Sequence, residues 1–145
     1  MKRSLLLIVV LAISLLATGC KVTGGGWITT QDGDKATFSF TYECDEGVAR
    51  GQFTYHHRAE GVNVKGTFDV DSCIDEDAEE DVLYGLFATY APQPAKLGDG
   101  GVAEIYIVDD GEPGTDDFFH IVLDDGVYDG YEESGTLGGG NIQTH

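Results

Sequence analysis

The stretch ATFSFTYE, residues 36–43, decides the fold. Ala36, Phe38, Phe40 and Tyr42 alternate strictly with Thr37, Ser39, Thr41 and Glu43. Side chains of a β-strand point to opposite faces in turn, so a period of two with apolar residues on one phase marks a strand with one buried face. A helix would need apolar residues at spacings of both three and four, and no apolar pair here is three apart.

The same period returns downstream, where Val62, Val64, Phe68 and Val70 alternate with Asn63, Lys65, Thr67 and Asp69. Less regular strand-like runs cover residues 22–30, 48–59, 82–91, 102–110, 117–125 and 135–144. Gly, Asp, Asn and Pro punctuate them, as short hairpin connections require. The only helical spacing lies at residues 75–84, where Ala78, Val82 and Leu83 share one turn. The expectation is an all-β antiparallel meander of about eight strands.

Such a meander must cover its first and last edges. The first strand opens with Gly24-Gly25-Gly26 and the last contains Gly138-Gly139-Gly140, residues that permit close backbone approach and tight coiling. Pairing of these two segments closes a barrel, which is favoured over a two-sheet sandwich. The aromatics fall mostly on inward phases, Trp27, Phe38, Phe40, Tyr42, Phe53, Tyr55, Tyr90 and Phe119 among them, while Tyr128 and Tyr131 around Gly130 are better exposed, with a packed hairpin the default there and ligand contact the alternative.

The N-terminus gives the location. Lys2 and Arg3 precede an uncharged apolar run ending in Ala17-Thr18-Gly19-Cys20, the layout of an export signal over residues 1–19. Its last four residues resemble a lipobox, whose cysteine is lipid-modified and becomes the new N-terminus. Cys20 is the expected lipidation site, with cleavage to a soluble product left open. Residues 20–145 then form one all-β domain, a size that suits a single core.

The chain holds 26 acidic and eight basic residues, a formal charge of −18, which becomes −20 without Lys2 and Arg3. Binding to nucleic acid works through Lys and Arg that displace counterions, so this class of ligand is excluded. The expected partners are the membrane, through the lipid, and an undefined protein or glycan. With Cys20 lipidated, Cys44 and Cys73 remain in an oxidising compartment, where two cysteines usually pair. Cys44 is in phase with Phe40 and Tyr42, whereas Cys73 is out of phase with Phe68 and Val70, so the disulfide requires a loop to reset the phase.

KVTGGGWI, DKATFSF, VDDGEPGTDDF and SGTLGGGNIQTH together resemble a family of exported bacterial domains of unknown function, the post-COAP-like domains. The resemblance spans most of residues 21–145 and implies a β-rich extracellular module without implying any chemistry.

Candidate chemistry is sparse. In VDDGEPGTDDFF, residues 108–119, Pro113 and Gly114 suit the centre of a type II turn over residues 112–115. That reading leaves the crowded acids unexplained, so Asp109, Glu112 and Asp117 are candidate Ca²⁺ ligands, without EF-hand spacing. The default is a solvated acidic hairpin, and the acidic run at residues 69–81 is read the same way. His56 and His57 are adjacent and face opposite sides, which breaks a zinc pair; His57 reads as a rim residue and His120 as outward-facing. No nucleophile elbow or phosphate loop is present.

The expectation is therefore a non-catalytic envelope lipoprotein that binds or supports something. The alternatives are a carboxylate-dependent hydrolase and a barrel that carries a small ligand.

Overall fold

A computed structural model describes residues 20–73 and 84–145. The expected export signal (residues 1–19), the helical turn at residues 75–84 except Tyr84, and most of the acidic run lie outside the described residues.

Eight antiparallel strands follow one another around a closed barrel. They are β1 (Cys20–Thr29), β2 (Lys35–Asp45), β3 (Val48–His57), β4 (Val62–Phe68), β5 (Tyr84–Pro92), β6 (Gly101–Val108), β7 (Phe118–Asp124) and β8 (Tyr131–Thr144). Each pairs with its sequence neighbours, and β8 returns to β1.

The deciding stretch behaves as its alternation requires. Ala36, Phe38, Phe40 and Tyr42 are buried, and Thr37, Ser39, Thr41 and Glu43 are exposed. Phe38 stacks on Phe119 with ring centroids 4.0 Å apart, and Tyr42 meets Phe68 edge-on at 5.4 Å. Rings from β2, β3, β4 and β7 thus meet inside the barrel, so side chains occupy its interior.

Closure runs through the two glycine segments. Gly24, Gly25 and Gly26 face Ile142, Asn141 and Gly140, with a register shift after Trp27. β8 is longer than the sequence suggests because it serves two neighbours: Tyr131–Thr136 pairs with β7, and Leu137–Thr144 with β1. The strands are therefore strongly staggered.

Trp27 is a correction to the inward set. It occupies the outer phase of β1, and its ring covers Gly138 and Gly139, where any β-carbon would strike it. The indole thereby shields bare backbone that would otherwise face water, an aromatic cover for glycines. Lys35 Nζ sits over the ring, 4.4 Å from its centroid.

The disulfide forms. Cys44 and Cys73 are bonded, with Cα atoms 5.4 Å apart. The phase problem is solved after β4, where Ser72 N–H donates to Asp69 O at 3.0 Å and the turn redirects Cys73 toward β2.

The barrel has two distinct ends. Cys20, the disulfide, the Asp45–Val48 hairpin and the loop after β6 lie at one; the β1–β2, β3–β4, β5–β6 and β7–β8 connections lie at the other. Both ends carry polar groups that the interior cannot take.

Candidate functional site

At the end carrying the disulfide, the VDDGEPGTDDFF acids do not point at a common centre. Asp117 is fully buried; its Oδ2 accepts from Ile142 N–H at 2.7 Å and its Oδ1 from Asp110 N–H at 2.9 Å. Asp109 Oδ2 accepts from both the N–H and the hydroxyl of Thr144, at 2.8 and 3.0 Å. Glu112 Oε1 accepts from Asn141 Nδ2 at 3.0 Å. All three candidate calcium ligands thus fasten the β6–β7 loop to β8. Among the described residues no group of three or more acidic, histidine or cysteine side chains is gathered around a common cation position.

The turn itself differs from the expected type II. Gly114 N–H donates to Gly111 O at 3.1 Å, and the Glu112–Pro113 bond is cis, so the turn spans residues 111–114 with proline third. Burial pushes the Asp117 carboxyl above its ordinary value, against the two N–H donors that favour its charge, and Asp109 and Glu112 push the same way.

The opposite end is closed by a polar cluster that the sequence reading did not anticipate. The Tyr131 hydroxyl lies 2.7 Å from the Tyr55 hydroxyl and 2.8 Å from His57 Nδ1. His57, hydrogen-bonded at the rim as expected, is fully buried because it continues the inward phase of Phe53 and Tyr55 to the last residue of β3. Its Nε2 has no hydrogen-bond partner among the described residues and lies 3.9 Å from Asp34 Oδ2. Glu133, 7% exposed, accepts from Gln31 N–H at 3.2 Å. Burial drives the phenols of Tyr55 and Tyr131 far above the ordinary tyrosine value, and the Glu133 charge adds to both shifts.

Tyr131 is therefore turned into the barrel mouth, contrary to the expected exposure. Tyr128 is half-buried as well: its ring stacks on Tyr90 and its hydroxyl donates to Gly61 O at 3.1 Å. His120 is only partly exposed and bonds Glu132 at 2.8 Å on the outer face. The signal for Glu133 was present, since counting back by twos from Leu137 gives Gly135, Glu133 and Tyr131 on the inward phase. Starting the strand at residue 135 concealed it.

The third feature lies on the outer wall. A trough of about 680 Å³ crosses β8, β1, β2, β3 and β4, floored by Gly24 and Gly25 and walled by hydroxyl and amide side chains. Ser39 Oγ and Thr54 Oγ1 are 2.8 Å apart within it, and Lys65 is its single charged residue. Nothing in the residue order shows this grouping, because its members come from five strands.

Comparison with protein-family models, with curated proteins and with solved structures finds no match for this chain.

Proposed function

We propose that the chain is a non-catalytic binding module of the cell envelope, held to a membrane by lipid on Cys20. The observation that carries the binding part is the outer-wall trough, whose lining among the described residues contains no carboxylate and no nucleophile paired with a base. A carboxylate hydrolase needs two acids converging on a concave site, which the trough does not offer. A carrier of small ligands needs interior space, whereas rings in contact occupy the interior here.

The envelope part rests on the first twenty residues and is consistent with the Cys44–Cys73 disulfide, a bond that persists in oxidising compartments. Cys20 is also the first residue of β1, so a lipid there leaves almost no spacer. The end with the acidic β6–β7 loop then faces the bilayer, the Tyr131 end points away, and the trough stands open on the side wall.

The test is expression in a bacterial host with labelled palmitate. Label should enter the protein and be lost in Cys20→Ala, which should also leave the membrane fraction. Unlabelled, fully soluble wild-type protein would refute the anchor. Turnover of a substrate by the purified protein, abolished by one carboxylate substitution, would refute the non-catalytic part.

A further inference from the structure

Three consecutive glycines in β1 call for explanation, since glycine inside a strand weakens it and contributes no packing. Two are explained by the barrel. A β-carbon on Gly24 would lie 2.4 Å from the Phe40 ring, and one on Gly26 would lie 2.1 Å from Gly139 O. Gly24 makes room for a core ring, and Gly26 lets β1 and β8 meet.

Gly25 has no such reason. A β-carbon there would meet only ordinary contacts, Phe38 O at 3.6 Å and Ser39 Cβ at 3.8 Å, and would point outward. What its missing side chain does is deepen the trough, of which it forms the floor. A strand glycine without an internal cause often marks the close approach of something from outside.

We infer that the trough over Gly25 binds an extended, uncharged, hydroxyl-rich polymer, a neutral glycan strand. This rests on the binding-module reading. The charge distribution selects the class. In a chain of net charge −18, the outward positions of β1, β3 and β4 hold no carboxylate. A cation finds no counter-charge there. A polyanion meets Lys65 in the trough, Lys21 and Arg50 in the adjoining hollow with Glu43 between them, and the repulsion of the whole molecule.

What remains along the trough are groups that both donate and accept, Thr23, Ser39, Thr41, Gln52 and Thr54 among them. A polyhydroxyl chain offers the same mixture along its length. An extended peptide is disfavoured, because it binds a sheet by pairing with a free edge and a closed barrel has none. The trough spans five strands, about 19 Å at ~4.8 Å per strand, so the occupant runs across the strands as an oligomer.

The test is retention of the full chain, purified in detergent, in gels containing a neutral β-glucan, a neutral chitin-derived polymer or an anionic uronic-acid polymer. A neutral polymer should retard the wild type, and Gly25→Gln, whose side chain fills the trough from outside, should weaken this by about tenfold or more. Thr54→Val, which removes one wall hydroxyl, should weaken it less. Midpoints of unfolding for both variants establish that they are folded.

Equal retardation of wild type and Gly25→Gln by a neutral polymer overturns the trough as the site. Retardation by the anionic polymer alone, lost in Gly25→Gln, overturns the neutral class and leaves the binding module standing. Retardation by none of the three overturns the glycan inference, and the module reading is then judged by the palmitate and turnover experiments.

Discussion

Replacing Asp117 with alanine should show that the acids of VDDGEPGTDDFF are a structural clasp. Asp117 is fully buried and takes two backbone donors, Ile142 N–H at 2.7 Å and Asp110 N–H at 2.9 Å. Ile142 is itself buried at the β1–β8 seam, so its N–H has no water to turn to. A hydrogen bond to a charged group contributes roughly 1.5–3 kcal/mol, and an orphaned buried donor costs about 1–3 kcal/mol. Against this stands the cost of burying the charge, visible in the raised carboxyl value. The net loss expected for Asp117→Ala is about 3 kcal/mol, a fall of about 10 °C in the midpoint for a domain of this size.

Asp117→Asn keeps one oxygen for one donor but turns an amide N–H₂ toward the other, so it should lose about half as much. The pH dependence separates the variants further. Because the folded-state value of Asp117 is raised, the penalty for its charge is complete above that value and disappears as the carboxyl protonates on acidification. Wild type should therefore gain on Asp117→Asn as pH falls from neutral toward 4. The assay is thermal unfolding followed by circular dichroism in chelator at several pH values. A fall of less than about 3 °C for Asp117→Ala would refute the clasp.

Other outcomes follow from the same geometry. Millimolar Ca²⁺ should leave the wild-type midpoint where chelator puts it; a gain near 2.7 kcal/mol, as expected at a hundred times a dissociation constant, would make Asp109, Glu112 and Asp117 a metal site. Cys44→Ala with Cys73→Ala opens a loop of sequence separation 29 and should cost about 3.5 kcal/mol in denaturant titration on the chain-entropy account; an unchanged midpoint would show that the bond constrains nothing. Tyr131→Phe strips the hydroxyl shared by Tyr55 and His57 and should cost about 1–3 kcal/mol by the same titration, whereas a truly exposed Tyr131 would lose almost nothing. Gly26→Ala should lose about 2 kcal/mol or more, because its methyl meets Gly139 O, while Gly25→Ala should gain about 0.5 kcal/mol; equal effects would remove the distinction drawn between these neighbours.

The acidic loop shows how a correct inventory of residues led to an incomplete reading. Five acids around a Pro-Gly pair do repel one another in an isolated hairpin, and a cation is one way to offset that. The folded chain offers another, since β8 brings Ile142, Thr144 and Asn141 alongside, some 25 to 35 residues later in sequence. No local pattern announces a partner at that distance. Trp27 misled for a different reason: an aromatic residue next to an apolar one fits either phase, and only the bare backbone of Gly138 and Gly139 made the outer face the better place for it.

What the sequence by itself determined was each strand with strict alternation; it favoured closure between two glycine-rich ends and pairing of the two cysteines, and the structure decided both. These depend on period, punctuation and count, which are local or global properties of the chain. Tertiary structure alone decided what the polar residues do. It turned His57, Tyr131 and Glu133 into the mouth of the barrel, gave the loop acids backbone donors in place of solvent, and gathered a neutral trough from five strands around Gly25. The physical reason is stagger. In a closed, tilted barrel the register between strands sets which side chains become neighbours, and that register is a property of the assembled sheet.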